Sequence, residues 1–271
     1  MPRPDTVVIL AAGQGTRMKT AAPKVLAPLL GRPLLAWVVD QALALEPERV
    51  IVVVGHGAED VQKAAAGLDP RGRLRFVRQE PQKGTGHALQ CCLPELGADP
   101  GVVVVLYGDM PLLSRESRSR LVEAQAGTGG GAAMLTAEPA DPRGFGRIVR
   151  RPDGAVLRIV EQKDATPQEL ALREVNLGVY AFTGRDLVRH LPGLTNDNAQ
   201  KEYYLTDVVG RLVAEQKRVA ALVLEDEREA IGVNTLVHLA EARSVLQQRV
   251  LEEHMLRGVW IEDPATTYID W

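Results

Sequence analysis

Short runs of consecutive apolar residues, each followed closely by glycine, recur along the first half of the chain. The clearest of them are Val7 to Leu10, Val50 to Val54 and Val102 to Leu106. Runs of this length, rich in β-branched residues and closed by a turn signal, are typical of strands buried on both faces. A weaker strand is predicted in "RLRFV", and another strand in "AAMLTAE".

Helical patterns lie between these predicted strands. Pro33 opens one that continues to about Leu43, and further helices are predicted from about Thr85 and from about Glu116. Proline suits the first turn of a helix, where a missing N–H group costs nothing. Strands that alternate with helices at this spacing predict an α/β fold, with a mostly parallel sheet flanked by helices on both faces.

Ligands bind to such sheets at the carboxyl ends of the strands. The glycine-containing loops after Leu10 and after Leu106 both fall at that edge. We therefore expect the two loops to face one shared crevice.

The pattern changes near Asp141. Two strands joined by a turn at Arg151 to Gly154 are predicted in "GFGRIVRRPDGAVLRIVEQKDA", and single strands in "EVNLGVYAF" and "VAALVLE". The segment "KEYYLTDVVGRLVAEQ" predicts an amphipathic helix. A last long helix is expected from Asn234 or Thr235 to about Arg257. Its predicted apolar stripe consists of Leu236, Leu239, Leu246, Val250 and Met255.

Composition narrows the functional classes. The chain has 271 residues, a net charge of −3 and only 4% aromatic residues, which argues against nucleic-acid binding by a broad basic surface or by stacked bases. The only cysteines are the neighbours Cys91 and Cys92, which cannot join distant segments, so a reducing compartment is expected. The apolar stretch Val7 to Ala12 is too short to cross a membrane, and the start of the chain lacks a signal-peptide pattern. We predict a cytoplasmic protein without a membrane partner.

The first glycine loop, Gly13 to Arg17, carries the first candidate chemistry. It is not a dinucleotide fingerprint, because the third glycine of that pattern would fall at Met18, and no Gly-Lys-Ser/Thr triplet follows it. Glycine lets backbone amides approach a phosphate closely, and Arg17 and Lys24 would add two cations. On the residues alone, a tight turn with two solvated basic side chains is the better-supported interpretation, and a phosphate loop is the alternative.

The motifs "AAGQGTRM" and "PKVL" resemble the signature of the sugar-1-phosphate nucleotidyltransferase family. The motifs "QKGTGHA", "LYGDMPLL", "GFGRIV", "VEQKDA", "EVNLGVY", "NDNAQKEYYLTD" and "IGVN" follow in the order of one subfamily. That subfamily is the uridyltransferase domain of the bacterial bifunctional enzyme that makes UDP-N-acetylglucosamine. The resemblance covers nearly the whole chain. It implies a Rossmann-like sheet with a β-rich sugar-binding lobe.

With this resemblance the chain divides into three parts. Residues 1–140 would form the nucleotide-binding half, residues 141–234 the sugar-binding lobe and the return to the sheet, and residues 235–271 the last helix and tail. The family continues into a left-handed β-helix with the acetyltransferase site, and hexapeptide repeats are missing from this sequence. We therefore expect no acetyltransferase activity, no obligatory trimer, and a monomer or weak oligomer.

The implied reaction joins N-acetylglucosamine-1-phosphate to UTP and releases pyrophosphate, giving a cell-wall (peptidoglycan) precursor. The attacking sugar phosphate is already an anion, so the site needs no general base and must supply alignment and charge neutralisation. The implied cofactor is Mg²⁺, which prefers oxygen ligands. The same chemistry on glucose-1-phosphate or with dTTP, and a non-catalytic sugar-nucleotide sensor, are the alternatives.

The resemblance also implies the phosphate and metal contacts. Arg17 and Lys24 match residues that hold the triphosphate and stabilise charge on the leaving pyrophosphate. Asp109 and Asn234 match the ligands of Mg²⁺, so Arg17, Lys24 and Asp109 are the expected catalytic residues. On the residues alone, Asp109 better fits a capped turn, and Asn234 equally fits the N-cap of the last helix.

The remaining substrate contacts are implied in the same way. Backbone lining the nucleotide is expected from Leu10, Ala11, Ala12 and Gly13, and the uracil is expected to meet Gln79 and Gly84. Thr85 is expected to contact a substrate and also to cap its helix. The sugar-side residues are Gly146, Glu161 and Asn176, with Tyr107 and Gly108 in the wall.

Some of these assignments have a structural alternative, and two positions depart from the family pattern. Without the resemblance, Gln79 fits a solvated loop and Glu161 a solvated face, and His87 is expected to be structural. The sequence departs from the family pattern at Gln14 and at Leu177, and the second position adjoins Asn176.

Overall fold

The predicted parallel sheet lies at the centre of the molecule. The computed structural model describes residues 2–20 and 22–271. The strands in this part of the chain are β1 (Thr6–Leu10), β2 (Pro28–Leu29), β3 (Arg32–Pro33), β4 (Arg49–Val54), β5 (Leu74–Arg78), β6 (Val102–Tyr107), β7 (Gly131–Ala137), β8 (Arg147–Arg150), β9 (Val156–Val160), β10 (Val175–Thr183) and β11 (Arg218–Val223).

The central sheet has the order β11-β7-β10-β6-β1-β4-β5. Its pairings are parallel except at β10, which runs antiparallel to both β6 and β7. The hairpin of β8 and β9 joins this sheet through a pairing of β8 with β10, and β2 pairs with β3 separately. The predicted α/β class with a mostly parallel sheet is confirmed.

Helices cover both faces of the sheet. The α-helices of the described residues are α1 (Leu34–Leu43), α2 (Ala58–Ala65), α3 (Thr85–Cys91), α4 (Leu93–Leu96), α5 (Arg115–Ala126), α6 (Pro167–Leu170), α7 (Gly184–His190), α8 (Thr206–Ala214) and α9 (Leu236–Leu256). None of them is both long and apolar enough to cross a membrane.

Alternate side chains of the buried strands enter two different cores. Val7 and Ile9 of β1 pack with apolar residues of α1, α2 and α5, whereas Val8 packs with those of α3, α7 and α8. Successive side chains of a strand point to opposite faces of a sheet. This explains why β1, β4 and β6 are apolar at nearly every position.

The predicted helix from Lys201 to Gln216 is wrong at its start, because α8 begins at Thr206. The backbone just before α8 bonds to another segment instead: Tyr203 N donates to Lys83 O at 2.8 Å, and Gly86 N donates to Tyr203 O at 2.7 Å. These contacts tie the segment before α8 to the start of α3.

The last helix is present as predicted, but its apolar stripe is shorter. Leu239, Leu246 and Val250 pack in a third cluster that includes Trp37. Leu236 is 56% exposed and Met255 is 39% exposed, so both ends of the predicted stripe are wrong. They lie in the first and last turns of α9, beyond the elements that cover its middle.

The pairing of β1 with β6 positions the candidate site. The two strands are parallel neighbours in the register Leu10↔Tyr107, and Gly108 N donates to Leu10 O at 2.9 Å beyond the end of β6. The glycine loop after β1 and the loop after β6 therefore begin side by side, as expected.

Two glycines provide a matched test of this fold. Gly178 in β10 has a φ of 77°, and a Cβ there would overlap the ring of Tyr107, whereas Gly210 lies inside α8 with free space around it. We expect Gly178→Ala to lower the free energy of unfolding by about 1–3 kcal/mol through backbone strain, and the overlap with Tyr107 should lower it further. Gly210→Ala should raise it by about 0.5–1 kcal/mol, because alanine loses less backbone entropy in a helix. Urea unfolding of both variants measures this, and a stable Gly178→Ala protein would contradict the backbone of β10 described above.

Candidate active site

Four polar side chains from distant parts of the sequence meet beyond the ends of β1 and β6. Lys24 forms an ion pair with the carboxylate of Asp109, and its Nζ also donates to Asn234 Oδ1 at 2.9 Å. Arg17 Nη2 donates to the same Asn234 oxygen at 2.9 Å. The structure thus brings together all four residues for which the family resemblance implies phosphate or metal roles.

The glycine loop places Arg17 and Lys24 at this point. Gly15 has a φ of 63°, and a Cβ there would lie 2.6 Å from the Cβ of Lys24, so only glycine allows the two segments to pack this closely. Residues Thr16–Met18 form a short 3-10 turn, and Met18 is buried in the third cluster. The turn is therefore anchored in the protein, while Arg17 projects from it towards Asn234.

The loop that carries Asp109 is held in place by hydrogen bonds to its backbone carbonyl oxygens. Val233 N donates to Asp109 O at 2.8 Å, Gln41 Nε2 to Pro111 O at 2.6 Å, and Arg249 Nη1 to Leu112 O at 2.7 Å. The Asp109 carboxylate itself bonds to Lys24 and caps no turn. The interpretation of Asp109 as a turn cap is therefore wrong.

Asn234 is also free of the capping role that its position allowed. Thr235 is the N-cap of α9, and its hydroxyl accepts from His238 N at 3.2 Å. The Asn234 amide oxygen instead faces the two cations. The alternative interpretation of Asn234 as the helix N-cap is wrong.

The carboxylate of Asp109 and the amide oxygen of Asn234 converge on one cation, the ammonium of Lys24. Each side chain of the Lys24–Asp109 pair is only 13% exposed, so water screens their attraction weakly. No cluster of three or more His, Cys, Asp or Glu side chains that could hold a metal ion occurs in residues 2–20 and 22–271. Two oxygen donors facing a shared cation are chemically suited to a hard divalent ion that takes its other ligands from elsewhere.

The nucleotide-side residues lie around the first glycine loop. Ala11 and Ala12 are buried, and Ala12 O accepts a hydrogen bond from Gln82 Nε2. Sequence reasoning missed Gln82, because a glutamine between Pro81 and Lys83 carries no signal of its own. Leu10 O bonds to Gly108, and Gly13 has open space around its α-carbon.

Gln79 follows β5 and is only 5% exposed, so the solvated-loop interpretation is wrong. Its Nε2 donates to Gly84 O at 2.9 Å and lies 3.2 Å from Nδ1 of His87. Gly84 has a φ of 96°, and a Cβ there would lie 2.7 Å from Tyr203 O.

Gly84 is the N-cap of α3, which makes Thr85 the first helical residue. The predicted capping role of Thr85 is therefore wrong. Its hydroxyl accepts from Leu205 N at 3.2 Å and so joins α3 to the start of α8.

The residues that the resemblance assigns to the sugar also lie together. Asn176 N donates to Gly146 O at 2.9 Å, and a Cβ on Gly146 would lie 3.5 Å from Glu161 Oε2. The Asn176 amide oxygen accepts from Gly178 N at 3.1 Å and from Tyr180 Oη at 2.9 Å. The oxygen of the Asn176 amide is therefore engaged within the protein. Leu177 is buried in the core with Val175 and Val179.

Glu161 is half-buried, so its interpretation as a solvated face is wrong. Its Oε1 accepts from the Thr206 hydroxyl at 3.1 Å. Burial raises the pKa of Glu161, Thr206 opposes this effect, and the nearby carboxylates of Asp207 and Asp164 add to it. A cavity of about 240 Å³ opens beside Glu161 and Thr206. Thr206 was missed, although it lies inside the quoted "YYLTD" motif, because no pattern singled it out.

Tyr107 connects the two sides of the crevice. Loss of solvent raises the pKa of its hydroxyl most, and the negative charges of Glu161 and Asp109 raise it further. Tyr107 therefore keeps its proton and can act as a hydrogen-bond donor. Gly108 follows it, and a Cβ at Gly108 would lie 3.2 Å from the Cβ of Ala11. Small residues on both loops keep this part of the crevice narrow.

Comparison with known families gives a match to the MobA-like NTP transferase domain over residues 7–206. This match runs from the second residue of β1 to the first residue of α8, and it agrees with the resemblance carried by the sequence motifs.

Curated relatives extend the similarity over nearly the whole chain. The chain is 50% identical over 270 residues to the bifunctional protein GlmU of Streptomyces avermitilis, an alignment that covers 99% of this chain and 56% of the relative. It is 47% identical over 264 residues to that of Lactobacillus delbrueckii subsp. bulgaricus, covering 97% and 56%. It is 49% identical over 262 residues to that of Acidovorax ebreus, covering 96% and 54%. The chain spans about half the length of these relatives.

A double-mutant cycle tests the geometry of the cluster without any substrate. Lys24→Met leaves the Asp109 carboxylate partly buried without its cation, and Asp109→Asn leaves the ammonium without its anion. We expect each single change to destabilise the protein and the double variant to recover part of the loss. The expected coupling energy is about 0.5–3 kcal/mol. Denaturant unfolding in low salt measures it, and additive single effects would show that the two side chains do not interact.

Proposed function

The chain belongs to the MobA-like NTP transferase family, and from that premise we propose that it is an N-acetylglucosamine-1-phosphate uridyltransferase (UDP-N-acetylglucosamine diphosphorylase). The observation that carries the proposal is the convergence of Arg17, Lys24, Asp109 and Asn234 in one crevice. Gly146, Glu161 and Asn176 form a second group, and the negative charges of both Glu161 and Asp109 act on the Tyr107 hydroxyl. In the proposed complex the first group would face the triphosphate and the second group the sugar.

The choice of substrates rests on the sequence motifs and on the relatives. The relatives that match nearly the whole chain are named bifunctional protein GlmU, and this chain covers about half of their length. The motifs quoted above resemble the uridyltransferase half of the bifunctional enzyme. The proposal therefore concerns uridyl transfer alone.

In the proposed reaction, a phosphate oxygen of N-acetylglucosamine-1-phosphate attacks the α-phosphorus of UTP in line with the bond to the β-phosphate. The new P–O bond forms as the bond to the leaving pyrophosphate breaks, and no proton has to be removed from the attacking oxygen. Arg17 and Lys24 would neutralise the charge that passes to pyrophosphate. The residues contribute positioning and charge rather than acid–base chemistry.

We assign Mg²⁺ as the cofactor, with Asp109 and Asn234 as its protein ligands. The convergence of their oxygens on the ammonium of Lys24 supports this assignment. When bound, the ion would neutralise phosphate charge and help to align the two substrates. The phosphate oxygens of the substrates would complete a ligand set that the protein supplies only in part.

The uracil and sugar assignments are part of the same proposal. Gln79 and Gly84 would meet the uracil, together with Thr85 and the backbone of Leu10 to Gly13. Asn176 would donate to an acceptor on the sugar, and Glu161 would accept from a hydroxyl. A monomer or weak oligomer in the cytoplasm, without a nucleic-acid partner, stays a prediction from the sequence.

We expect the purified protein to release pyrophosphate from UTP and N-acetylglucosamine-1-phosphate and to form UDP-N-acetylglucosamine. Parallel assays with glucose-1-phosphate, and with dTTP in place of UTP, should be slower because contacts to the acetamido group and to the uracil are lost or changed. A coupled pyrophosphate assay with product identification measures the rates. Equal rates on glucose-1-phosphate would favour another sugar substrate, and no release with any pair would favour a sensor.

Arg17 and the metal ligands are tested together in that assay. Arg17→Ala should lower kcat about 10²–10³-fold, since one charge-stabilising contact to the leaving group is removed. Arg185→Ala is the matched control, because Arg185 lies in α7 and forms an exposed ion pair with Asp99.

Removal of divalent ions with a chelator should abolish pyrophosphate release. Added Mg²⁺ should restore the activity of the wild-type protein, but it should restore that of Asp109→Asn only poorly. Full activity of Arg17→Ala or of Asp109→Asn, or activity of the wild-type protein in excess chelator, would contradict the assigned roles.

A further inference from the structure

His87 is in contact with the proposed uracil-binding glutamine, yet neither the sequence motifs nor the proposed reaction gives it a task. It lies in the first turn of α3, and its Nδ1 is 3.2 Å from Gln79 Nε2. On the other side of the ring, Nε2 is 3.8 Å from the sulfur of Cys91. The Tyr203 ring packs beside the imidazole, with 6.1 Å between the ring centroids.

The contacts of Gln79 determine how its amide group is oriented. A backbone carbonyl only accepts hydrogen bonds, so the Gln79 atom 2.9 Å from Gly84 O must be the NH₂ nitrogen. The second N–H of that nitrogen is then directed to His87 Nδ1. His87 must accept this hydrogen bond, which places the ring proton on Nε2, facing Cys91.

The surroundings of His87 favour this neutral form. Burial lowers the pKa of His87 most, and the nearby charge of Lys83 lowers it further. The ring is therefore uncharged near neutral pH, and Nδ1 has a lone pair for the Gln79 amide.

With both N–H groups engaged, Gln79 presents only its carbonyl oxygen. Oε1 accepts a hydrogen bond from none of the described residues, and it is not among the side-chain oxygens that are sealed from solvent without a partner. An acceptor held in this way matches N3 of uracil, which carries a proton, and opposes N3 of cytosine, which carries a lone pair. The two bases differ at this edge in the direction of the hydrogen bond.

We propose that His87 is a positioning residue that fixes the Gln79 amide and thereby selects uracil over cytosine nucleotides. The proposal rests on the proposed function, in which Gln79 faces the base. Without His87, Gly84 O still holds one N–H, but the amide can pivot about that bond. The freed second N–H then becomes available to the N3 lone pair of cytosine.

The test compares His87→Leu with His87→Asn. Leucine fills the space but accepts no hydrogen bond, whereas the Asn Oδ1 takes approximately the place of the His Nδ1. His254→Leu, in the last turn of α9, is the matched control for loss of a histidine. For each protein, kcat and KM are measured with UTP and with CTP, using N-acetylglucosamine-1-phosphate as the second substrate.

We expect His87→Leu to lower the ratio of kcat/KM for UTP to that for CTP about tenfold, which is the effect of one hydrogen bond. The change should lie in KM, with kcat for UTP largely kept, because in the proposed complex this contact acts on the base and not on the reacting phosphates. His87→Asn should keep most of the wild-type ratio, and His254→Leu all of it. An unchanged ratio in His87→Leu, or an equal loss in His87→Asn, would overturn the proposal.

A second measurement works on the wild-type protein and does not depend on turnover. The ¹⁵N spectrum of the His87 ring should show an unprotonated Nδ1 and a protonated Nε2 at neutral pH, and a proton on Nδ1 would overturn the proposal. It also applies if His87→Leu does not fold. A wild-type protein that releases no pyrophosphate from UTP would contradict the proposed function, while the ring protonation would still decide whether His87 accepts from Gln79.

Discussion

The parallel pairing of β1 with β6 is the constraint on which the candidate site depends. Its register sets Leu10 beside Tyr107, and the amide of Gly108 continues the pairing beyond the strand end. Two loops that are almost a hundred residues apart in the chain therefore leave the sheet at one point. Any shift of this register by a residue would turn Tyr107 to the opposite face and separate Asp109 from Lys24.

Positive charge is in excess at that point. Lys24 is shared by a carboxylate and an amide oxygen, and Arg17 bonds to the same amide. Two cations and one anion leave the cluster with a net positive charge, which suits it to phosphate groups. In the proposed reaction, a divalent ion would take over the oxygens of Asp109 and Asn234, and Lys24 would then be free to face the phosphates. The same few side chains thus bind one another in the structure and would bind the metal ion and the phosphates in the proposed reaction.

Much of this fold is visible in the sequence, because the buried strands are short apolar runs ended by glycine. The start of α8 was predicted too early, since the amphipathic pattern of "KEYYLTD" continues upstream while tertiary bonds hold Tyr203 to Lys83 and Gly86. The apolar stripe of α9 was predicted too long, because periodicity does not tell where the covering elements end. In both cases local pattern was overridden by contacts between distant segments.

The candidate site was less predictable from the sequence than the fold. The phosphate-side residues could be named only through a family resemblance, since a glycine loop with two cations is more often a simple turn. Gln82, Thr206 and His87 act on other side chains or on backbone carbonyls, and such contacts depend on the folded arrangement alone. Thr85 was assigned a cap from its place at a helix start, but the positive φ of Gly84 moves the cap one residue earlier.

The antiparallel strand β10 has a consequence for synthesis of the chain. It lies between β6 and β7, while β11 lies outside β7, so both neighbours of β7 come later in the sequence than β7 itself. When the ribosome has released residues 131–137, that strand has no partner, and one edge of β6 is open as well. Unpaired apolar edges are templates for association with other chains. The nascent polypeptide therefore passes through an interval of exposure that ends in two steps, when Val175–Thr183 inserts between β6 and β7 and when Arg218–Val223 pairs with the outer edge of β7. During that interval β7 is a defined segment for chaperones to protect.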